Sequence, residues 1–538
     1  MDLPLALDRC SPVTLQLQLS EQLRGAILDG RLIAGTRLTS TRALAESLGV
    51  SRNVVVAAYD ELYAEGYVEG QHGSGTFVTL DLPQLPNRAR PQPSGVPRWL
   101  RTTEPPPIES QEDDPTLIVF RLGRPFTNLI SADDWRRAWI DVAGNVPPSS
   151  YGSPNGDPAL RLAIADYLGR SRGVACGMDD VVITSGALQA VDLIARATLK
   201  AGDAVAYEEP GYPSARRVFE SRGASIVPVP VDDDGLRVEA LPDSPNAPLL
   251  VYTTPSHQYP LGARLSIARR LSLLAWAERC DALIVEDDYD SEYRYDAPPL
   301  PALAGLDQSG RVVYVGTFSK VLSPALRVGY VIAPPPLRDR IVRLKRLSDY
   351  HTPWPVQHAL AAFIESGSLE RHIRRARRHY AEKRRIVADA FRPVAHLAKL
   401  RGLDAGLHVF LQLSPSIDVN RIVQLARQAG VVVETIDEHY CGPVQTSGLL
   451  LGYGGLTMEH AAIGSSILAT AIASEGSAQH GPSRTEIAGA DRRRSVPDRS
   501  SARDVVAQVG IVARSPVDQA SRANADALLE GRPRFYGV

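Results

Sequence analysis

One lysine in this chain stands where a surface charge does not explain it. Lysine is scarce and arginine is frequent; the lysines are Lys200, Lys320, Lys345, Lys383 and Lys399. Lys320 directly follows the strand-like run "VVYVGTFS". A surface charge would be served by arginine, but a guanidinium stays protonated at any working pH, whereas a lysine amine can become neutral. Lys320 is therefore a candidate for covalent chemistry with a carbonyl compound.

A second set of residues is suited to holding a phosphate. In "DVVITSGALQAVDLIARATL" a β-branched run leads through a Ser-Gly-Ala turn into an amphipathic helix, whose first N–H groups can bind an anion. A threonine ends the strand before the key lysine, and an arginine ten residues further on can pair with the same phosphate. The candidates are Ser185, Gly186, Ala187, Thr317 and Arg327. Taken alone, the Ser-Gly-Ala piece is more typical of an ordinary strand-to-helix turn than of a phosphate site.

The remaining requirements of a pyridoxal 5'-phosphate (PLP) site are also present. Asp287 ends the apolar run in "ALIVEDDYDSEY", at the strand end where open α/β sheets bind ligands, although such acids can also be merely solvated. Asp287 can keep a pyridine nitrogen protonated, Tyr289 can reach the ring hydroxyl, and Tyr212 in "EEPGYPS" offers a flat partner. The other lysines lie in a loop, on Arg-rich helices or in a polar stretch, so elimination leaves Lys320 as the Schiff-base residue.

The first 80 residues have a different pattern. Three helical segments, separated by Gly30 and by a tight "GVS" turn whose serine is expected to cap the third, precede two short strand-like pieces around "QHGSG". This order predicts a winged helix-turn-helix whose third helix enters the major groove. Charge is locally basic at the starts of the second and third helices, although a small protein-docking module would show the same spacing. The residues expected to contact DNA are Arg42, Ser51, Arg52, Asn53, Gly73 and Gly75.

Composition sets the limits of the whole chain. A formal net charge of -2 argues against general coating of nucleic acid, while 44% hydrophobic residues are enough for large cores. The four cysteines lie far apart without metal-type spacing, which suits a reducing cytoplasm. No apolar run approaches the roughly 20 residues that span a bilayer. We therefore expect a cytoplasmic protein without a metal site.

Changes in composition and hydrophobic pattern along the chain predict four regions. Residues 1–80 form the DNA-binding module, and 81–115 are a Pro-rich linker. Residues 116–473 alternate strand and helix patterns, which predicts an α/β domain with a mostly parallel sheet. Residues 474–538 are polar and Arg-rich, and we expect them to be largely disordered.

Both halves resemble known families. "EQLRGAILDGRLIAGTRLTSTRALAESLGVSRNVVVAAYDELYAEGYVEGQHGSGTFV" is similar to the DNA-binding domain of GntR-type repressors, with Thr39 where that family usually has proline. "TTPSHQYPLG", "VEDDYDSEYRY" and "GTFSKVLSPALRVGYV" resemble a fold-type I aminotransferase with a smaller C-terminal α/β subdomain. The fusion resembles the MocR regulators, including those that control vitamin B6 synthesis.

The resemblance implies roles for the residues named above. Lys320 would form the Schiff base with PLP, Asp287 would contact the pyridinium nitrogen, and Tyr289 would contact the ring oxygen. The implied phosphate cup is Ser185, Gly186, Ala187, Thr317 and Arg327. The resemblance also implies a homodimer that binds double-stranded promoter DNA.

Two departures from working aminotransferases shape the expected function. Tyr259 stands where those enzymes have the asparagine of "NPTG", and His257 is the expected substitute. No arginine lies between Arg427 and Arg484, so the late arginine that clamps a substrate carboxylate is missing. We therefore expect a regulator that senses PLP, controlling vitamin B6 or amino-compound metabolism, with transaminase activity absent or vestigial. The alternatives are a regulator that senses an amino acid or amine through an external aldimine, and an active aminotransferase with an accessory DNA-binding module.

Overall fold

The computed structural model describes residues 5–71, 74–80, 114–296 and 301–479, which fall into two compact units divided after Ser110. Most of the predicted linker and most of the predicted tail lie outside the described residues. The predicted start of the tail at 474 falls inside the last described helix, which continues to Gln479. None of the helices in the described ranges is long and apolar enough to cross a membrane.

The N-terminal unit is a three-helix module with a hairpin. Its elements are α1 (Leu15–Leu28), α2 (Thr41–Leu48), α3 (Arg52–Ala64), β1 (Val68–Gln71) and β2 (Gly75–Val78), with the two strands antiparallel. Leu19, Leu23 and Ile27 are buried on one face of α1, as their four-residue spacing predicts. Gly49 ends α2 with φ of 62°, a left-handed conformation that suits glycine. The predicted winged helix-turn-helix is confirmed.

Capping of the two DNA-proximal helices differs between them. Ser40 precedes α2, and its hydroxyl accepts a hydrogen bond from the backbone N–H of Ala43 at 3.3 Å. Ser51 occupies the same position before α3, but its side chain makes no capping hydrogen bond. The expectation that the Ser51 hydroxyl caps α3 is therefore wrong, and this exposed hydroxyl is left available to a ligand.

The C-terminal unit is built on mixed α/β architecture. Its helices are α4 (Ala132–Gly144), α5 (Pro158–Arg172), α6 (Ala187–Thr198), α7 (Pro213–Ser221), α8 (Ile267–Cys280), α9 (Leu303–Leu306), α10 (Pro335–Ser348), α11 (Trp354–Glu365), α12 (Ser368–Ala390), α13 (Val419–Gln428) and α14 (Met458–Gln479). Its strands are β3 (Ile118–Val119), β4 (Val181–Thr184), β5 (Ala204–Glu209), β6 (Ser225–Asp232), β7 (Gly235–Leu236), β8 (Leu250–Thr253), β9 (Leu283–Asp288), β10 (Val312–Thr317), β11 (Gly329–Ile332), β12 (Ala398–Arg401), β13 (His408–Leu413), β14 (Val431–Val432), β15 (Glu434–Thr435) and β16 (Gly448–Gly452).

A large sheet carries the first part of this unit. Its strand order is β4-β11-β10-β9-β8-β5-β6-β7, with β10, β9, β8, β5 and β6 mutually parallel. The central strands read as nearly continuous apolar runs because helices cover both faces, as in other parallel sheets. The predicted mostly parallel α/β domain is confirmed.

A smaller subdomain follows, with the antiparallel sheet β12-β13-β16-β15. The short strand β3 pairs in parallel with β14, so the segment that begins the unit belongs to the smaller sheet region. Directly after β3, Phe120 accepts a hydrogen bond from the N–H of Gly452 at the end of β16. The chain then passes from the small subdomain to the edge of the large sheet.

A buried ion pair joins the last residue of α5 to the last residue of β9. Arg172 and Asp288 are 4% and 5% exposed, and the guanidinium Nε donates to Asp288 Oδ2 at 2.7 Å. The Tyr314 hydroxyl and the Ser291 hydroxyl donate to the same oxygen. Removing the cation would leave this carboxylate buried without compensating charge.

We predict that Arg172→Met lowers the free energy of unfolding by about 3–5 kcal/mol, the typical cost of breaking a buried pair. The matched control is Arg170→Met, since the exposed Arg170–Glu370 pair at 3.3 Å should contribute under about 1 kcal/mol. Urea titration followed by circular dichroism measures both. Equal stability of the two variants would show that the buried pair does not support the sheet.

Candidate cofactor site and DNA-binding surface

Five strand ends converge on the candidate site. Strands β5, β8, β9 and β10 run parallel, and β4 points the same way because β11 lies antiparallel between β4 and β10. Their carboxyl ends therefore share one edge of the large sheet. In the register of the sheet Asp287 lies opposite Val315, so the end of β9 is next to the turn that carries Lys320. Ligands bind at this edge in open α/β sheets.

Asp287 presents one satisfied and one unsatisfied oxygen. The side chain is 4% exposed, and the Tyr252 hydroxyl donates to its Oδ2 at 2.6 Å. Its Oδ1 is buried and has no hydrogen-bond partner among the described residues. Burial raises the pKa of Asp287 to about 6, against the lowering effects of the Tyr252 hydrogen bond and of Lys320. An uncommitted buried carboxylate oxygen is suited to a ligand N–H that carries positive charge.

Lys320 has the electrostatic setting of a nucleophilic amine. Burial lowers the pKa of Lys320 below its usual value, the nearby Arg327 lowers it further, and the charges of Asp290 and Asp287 oppose both effects. The backbone at Gly123 passes so close to the amine that a Cβ atom built there would overlap Nζ, and its φ of 68° also suits glycine. The amine is thus enclosed between the large sheet and the segment that follows β3.

The residues predicted to bind a phosphate lie together at the start of α6. Arg327, held in a left-handed conformation with φ of 52°, donates from Nη2 to the carbonyl of Ser185 at 2.7 Å. The guanidinium also lies against Gly186, where a Cβ would approach Nη2 to 3.2 Å. Thr317 ends β10 opposite Gly329, and Gly329 itself packs on Gly186. Together with Ala187, the first residue of α6, these residues form a single cluster.

The structure also places a carboxylate at this cup, which the sequence analysis did not anticipate. Asp349 Oδ2 lies 3.3 Å from the Ser185 hydroxyl and also accepts from Gln189 at 2.8 Å. The buried Lys345 amine donates to both Asp349 oxygens at 3.0 Å and so balances their charge. The separation of Lys345 and Asp349 by four residues on a helix was the available signal.

The ring-oxygen side of the site is aromatic. The Tyr289 hydroxyl lies 3.0 Å from Nδ1 of His257, the residue expected to replace the missing asparagine. Tyr259 packs edge-on against both Tyr289 and Tyr212, at centroid distances of 5.8 and 5.4 Å. Burial raises the pKa of Tyr212, and the charges of Asp287 and Arg327 act on its hydroxyl in opposite directions. The predicted residues are therefore brought together.

Glu208 is a positioning residue that sequence reasoning missed. Its carboxylate is 1% exposed and accepts from the hydroxyls of Thr253 and Thr254 at 2.5 and 2.7 Å and from the Gln258 amide at 3.3 Å. These bonds fix the turn after β8, which carries His257. Burial raises the pKa of Glu208 in spite of the hydrogen bonds it accepts. The signal was two consecutive glutamates ending a buried strand.

Two other lysines are more buried than their Arg-rich helices suggested. Lys345 and Lys383 are each 0% exposed, so their exclusion as Schiff-base candidates needs another reason than a surface location. Lys345 is committed to Asp349, whereas Lys383 donates to the carbonyl of Gly454 at 2.8 Å and lies 4.2 Å from the Phe126 ring centroid. Burial lowers the pKa of Lys383 to about 7, but the phosphate cup described above is next to Lys320.

One cluster within the described ranges has the composition of a metal site. His257, Asp290 and His408 are buried, and their potential ligand atoms lie within 4.8 Å of one another. His257 Nδ1 and Asp290 Oδ2 are already joined at 2.9 Å, and His408 Nε2 lies 3.2 Å from the carbonyl of Pro260. These hydrogen bonds account for the arrangement, so we infer no ion from it.

Strand β16 lies in the late part of the chain where aminotransferases carry the arginine for a substrate carboxylate, and its centre is apolar. Strand β16 reads "GLLLG", and each of its residues is buried. The sequence from Val431 to Gln479 contains no arginine. This strand therefore offers no guanidinium to a substrate carboxylate.

The DNA-binding surface combines helix starts with the hairpin. Arg42, Ser51, Arg52 and Asn53 are exposed at the first turns of α2 and α3, or just before them, where backbone N–H groups also point outward. Arg52 Nε lies 3.3 Å from the Thr41 hydroxyl, which joins the two helix starts.

The hairpin is only partly described. Gly75 has φ of 116° and packs against the Arg37 guanidinium, where a Cβ would lie 3.0 Å from Nε. Gly73 lies outside the described residues. Arg37 thus packs on the hairpin beside its turn, a contact that the sequence pattern did not indicate.

Comparison with known proteins identifies both units. Residues 15–78 match the family described as bacterial regulatory proteins, gntR family, and residues 125–453 match aminotransferase class I and II. The chain is 39% identical over 460 residues to the probable rhizopine catabolism regulatory protein MocR of Rhizobium meliloti, covering 84% of this chain and 92% of that protein. The chain belongs to the MocR-type transcription regulators. It is a DNA-binding regulator with an aminotransferase-like domain.

A second relative and two solved structures agree with this membership. The pyridoxine biosynthesis transcriptional regulator PdxR of Corynebacterium glutamicum is 37% identical over 457 residues, covering 84% of this regulator and 95% of that one. The kynurenine aminotransferase of Pyrococcus horikoshii has a TM-score of 0.62 at 28% identity, covering 67% of this regulator and 91% of that chain. The α-aminoadipate aminotransferase LysN of Thermus thermophilus, solved with N-(5'-phosphopyridoxyl)-L-leucine, has a TM-score of 0.63 at 26% identity, covering 68% and 94%.

We predict that Asp287→Asn stabilises the regulator purified without cofactor. A carboxyl group with a pKa of about 6 in the folded state and about 3.8 when unfolded binds its proton more tightly when folded, so stability falls as pH rises between these values. The variant should gain up to about 3 kcal/mol at pH 8 and almost nothing at pH 4. Thermal unfolding across this pH range measures the difference.

The control for that measurement is Asp296→Asn. Asp296 is exposed, and its ion pair with Arg384 lowers its pKa, so this variant should lose stability as pH rises. An Asp287→Asn profile that parallels the Asp296→Asn profile would contradict the burial argument.

For the DNA-binding surface, we predict that Arg52→Ala weakens promoter binding by about 1–3 kcal/mol, because a side chain at the start of the third helix reaches bases or phosphates. The control is Arg31→Ala, which alters an exposed arginine in the turn after α1 that is paired with Asp29 at 3.4 Å. Fluorescence anisotropy at two salt concentrations measures both. Unchanged affinity for Arg52→Ala would move the interface away from α3.

Proposed function

We propose that this regulator binds PLP through Lys320 and that occupancy of this site changes its affinity for a promoter. The regulated genes would belong to vitamin B6 or amino-compound metabolism. A homodimer would place two DNA-binding modules on a repeated promoter site.

The observation that carries the proposal is the chemistry of the unsatisfied groups. A buried carboxylate oxygen of Asp287 has no partner among the described residues, and Lys320, an amine whose pKa burial lowers, follows the end of the adjacent strand. A cluster around Arg327 and the start of α6 supplies cation and N–H groups for a phosphate. These residues fit PLP, since each has a counterpart in the cofactor's pyridine nitrogen, aldehyde or phosphate.

When bound, PLP would supply an aldehyde that forms a Schiff base with a primary amine. The protein's part would be to hold the ring and control protons. Asp287 would accept the pyridine N–H, Tyr289 would contact the ring oxygen, and Tyr212 would pack on the ring face. His257 would act through Tyr289, in place of the asparagine that working aminotransferases use.

The missing clamp favours PLP itself as the effector. An amino-acid carboxylate would find only leucines on β16, and would forgo charge-assisted bonds worth about 1.5–3 kcal/mol. The resemblance to a regulator named for pyridoxine biosynthesis supports the same effector. Transaminase activity would then be absent or vestigial.

A second candidate is a regulator that senses an amine or amino acid bound to PLP. The relative named for rhizopine catabolism favours it, since that name concerns a compound other than the vitamin. Amines without a carboxylate would not need a guanidinium on β16. Steady turnover of an amino donor with a 2-oxo acid would instead favour an active aminotransferase.

We predict that Lys320→Ala abolishes the visible absorption of the PLP-loaded regulator and the label fixed by borohydride reduction. Lys399→Ala is the matched control and should keep both, because Lys399 is exposed on β12. Promoter affinity should depend on PLP in the control and be independent of PLP in Lys320→Ala. A borohydride label on another lysine, or wild-type affinity unaffected by PLP, would overturn the proposal.

A further inference from the structure

Asp290 forms a hydrogen-bonded chain with two residues of the site. Asp290 and His257 are each 2% exposed, and Asp290 Oδ2 lies 2.9 Å from His257 Nδ1. The same ring nitrogen lies 3.0 Å from the Tyr289 hydroxyl. One nitrogen thus faces two oxygens, and it can be either a donor or an acceptor, but not both.

Two arguments place a hydrogen on Nδ1 of His257. A carboxyl group is ordinarily a much stronger acid than an imidazolium, so Asp290 is the acceptor and His257 Nδ1 carries the hydrogen. The other tautomer would place the hydrogen on Nε2, which is buried and has no partner in the part of the chain that the structure describes. An unpaired buried N–H is costly, so burial also favours the Nδ1–H form.

The direction of the Tyr289 hydroxyl follows from this tautomer. Since Nδ1 already carries a hydrogen, the Tyr289 oxygen can face it only as an acceptor. The hydrogen of the Tyr289 hydroxyl must then point away from His257. It becomes available to a ligand oxygen within the site.

Glycine backbone packs closely on this chain. Gly406 has φ of 79°, and a Cβ there would overlap the His257 ring and lie 2.6 Å from Asp290 Oδ2. A Cβ on Gly262 would lie 3.0 Å from His257 Nε2. The backbone therefore lies close against both the imidazole and the carboxylate.

Several titratable groups surround this chain. Asp290 acts electrostatically on Lys320, with Asp287 and Arg327 acting on the same amine. The His408 ring centroid is 5.1 Å from that of His257, and burial keeps the pKa of His408 well below its usual value, which favours the neutral ring. Asp290 also adds to the effect of burial in raising the pKa of Asp287. It acts as well on the hydroxyls of Tyr289, Tyr293, Tyr295 and Tyr453, whose pKa values burial raises.

We propose that Asp290 is a positioning residue which, through His257, holds the Tyr289 hydroxyl as a donor to the ring oxygen of the cofactor. This inference rests on the proposed binding of PLP. It goes beyond that proposal because it assigns a task to a carboxylate that has no part in the proposed PLP contacts.

A double-mutant cycle on the full-length, PLP-loaded regulator tests the inference. Negative charge on the ring oxygen stabilises the protonated form of the lysine–cofactor linkage. A hydrogen-bond donor to that oxygen weakens this effect. Tyr289→Phe should therefore raise the apparent pKa seen in the visible absorption by about one unit or more, a tenfold change in proton affinity. In an Asp290→Asn background, Tyr289→Phe should cause almost no shift in this pKa, because the Tyr289 hydroxyl is no longer held as a donor to the ring oxygen.

The cycle separates positioning from charge. If Asp290 acted on Lys320 only as a charge, Tyr289→Phe would cause the same shift in both backgrounds, and that result would overturn the inference. Asp296→Asn is the control background, since Asp296 is exposed and paired with Arg384, and the full shift should persist there.

A second measurement keeps the test independent of cofactor binding and of the stability of Asp290→Asn. In the cofactor-free wild type labelled with nitrogen-15 histidine, His257 Nδ1 should show the chemical shift of a protonated nitrogen, with His257→Gln used for assignment. A hydrogen on Nε2 instead would overturn the inference. A wild type without visible absorption in the presence of PLP would refute the proposed function, whereas the nitrogen measurement would still decide the direction of the Tyr289 hydroxyl.

Discussion

A carboxylate held away from water, with one oxygen uncommitted, is the constraint around which the large unit is arranged. Tyr252 satisfies one oxygen of Asp287, and the other has no partner among the described residues. Leaving a buried acceptor unsatisfied costs about 1–3 kcal/mol, and the raised pKa of Asp287 reflects the same burial. The sheet can maintain such a group because β9 is a central strand, with β8 and β10 hydrogen-bonded on either side.

The carboxylates around Asp287 are compensated in different ways. Asp288 pairs with Arg172, Glu208 accepts from hydroxyls and an amide, and Asp290 accepts from an imidazole. Asp288 and Asp290 also each keep one oxygen without a hydrogen-bond partner among the described residues, but the hydrogen-bond donor to Asp287 in the described ranges is a neutral phenol, that of Tyr252. Its charge is therefore the one that a positive N–H group at the sheet edge would stabilise most.

Much of the fold followed from local pattern. The winged module was predictable because Leu19, Leu23 and Ile27 repeat at helical spacing and glycines end the helices. The α/β domain was predictable because β-branched runs alternate with amphipathic segments. The capping role given to Ser51 was wrong, since a residue type suited to capping does not ensure the rotamer. The exclusion of Lys345 and Lys383 because they lie on Arg-rich helices rested on a weak argument, since a helix rich in arginine can still bury one lysine on its inner face.

The sequence by itself determined which residues end the strands of the sheet: Lys320, Asp287, Ser185 and Tyr289 all follow apolar runs, and parallel strands bring their carboxyl ends to one edge. Only the tertiary structure decided which buried groups form hydrogen bonds with these residues and with the turns next to them. Glu208 reaches Thr253, Asp349 reaches Ser185, and Asp290 reaches His257 across 45, 164 and 33 positions of the chain. The periodicity of a sequence does not reveal contacts between such distant positions, because it shows only which face of an element is buried. Hydrogen bonds between separate elements depend on how those elements pack.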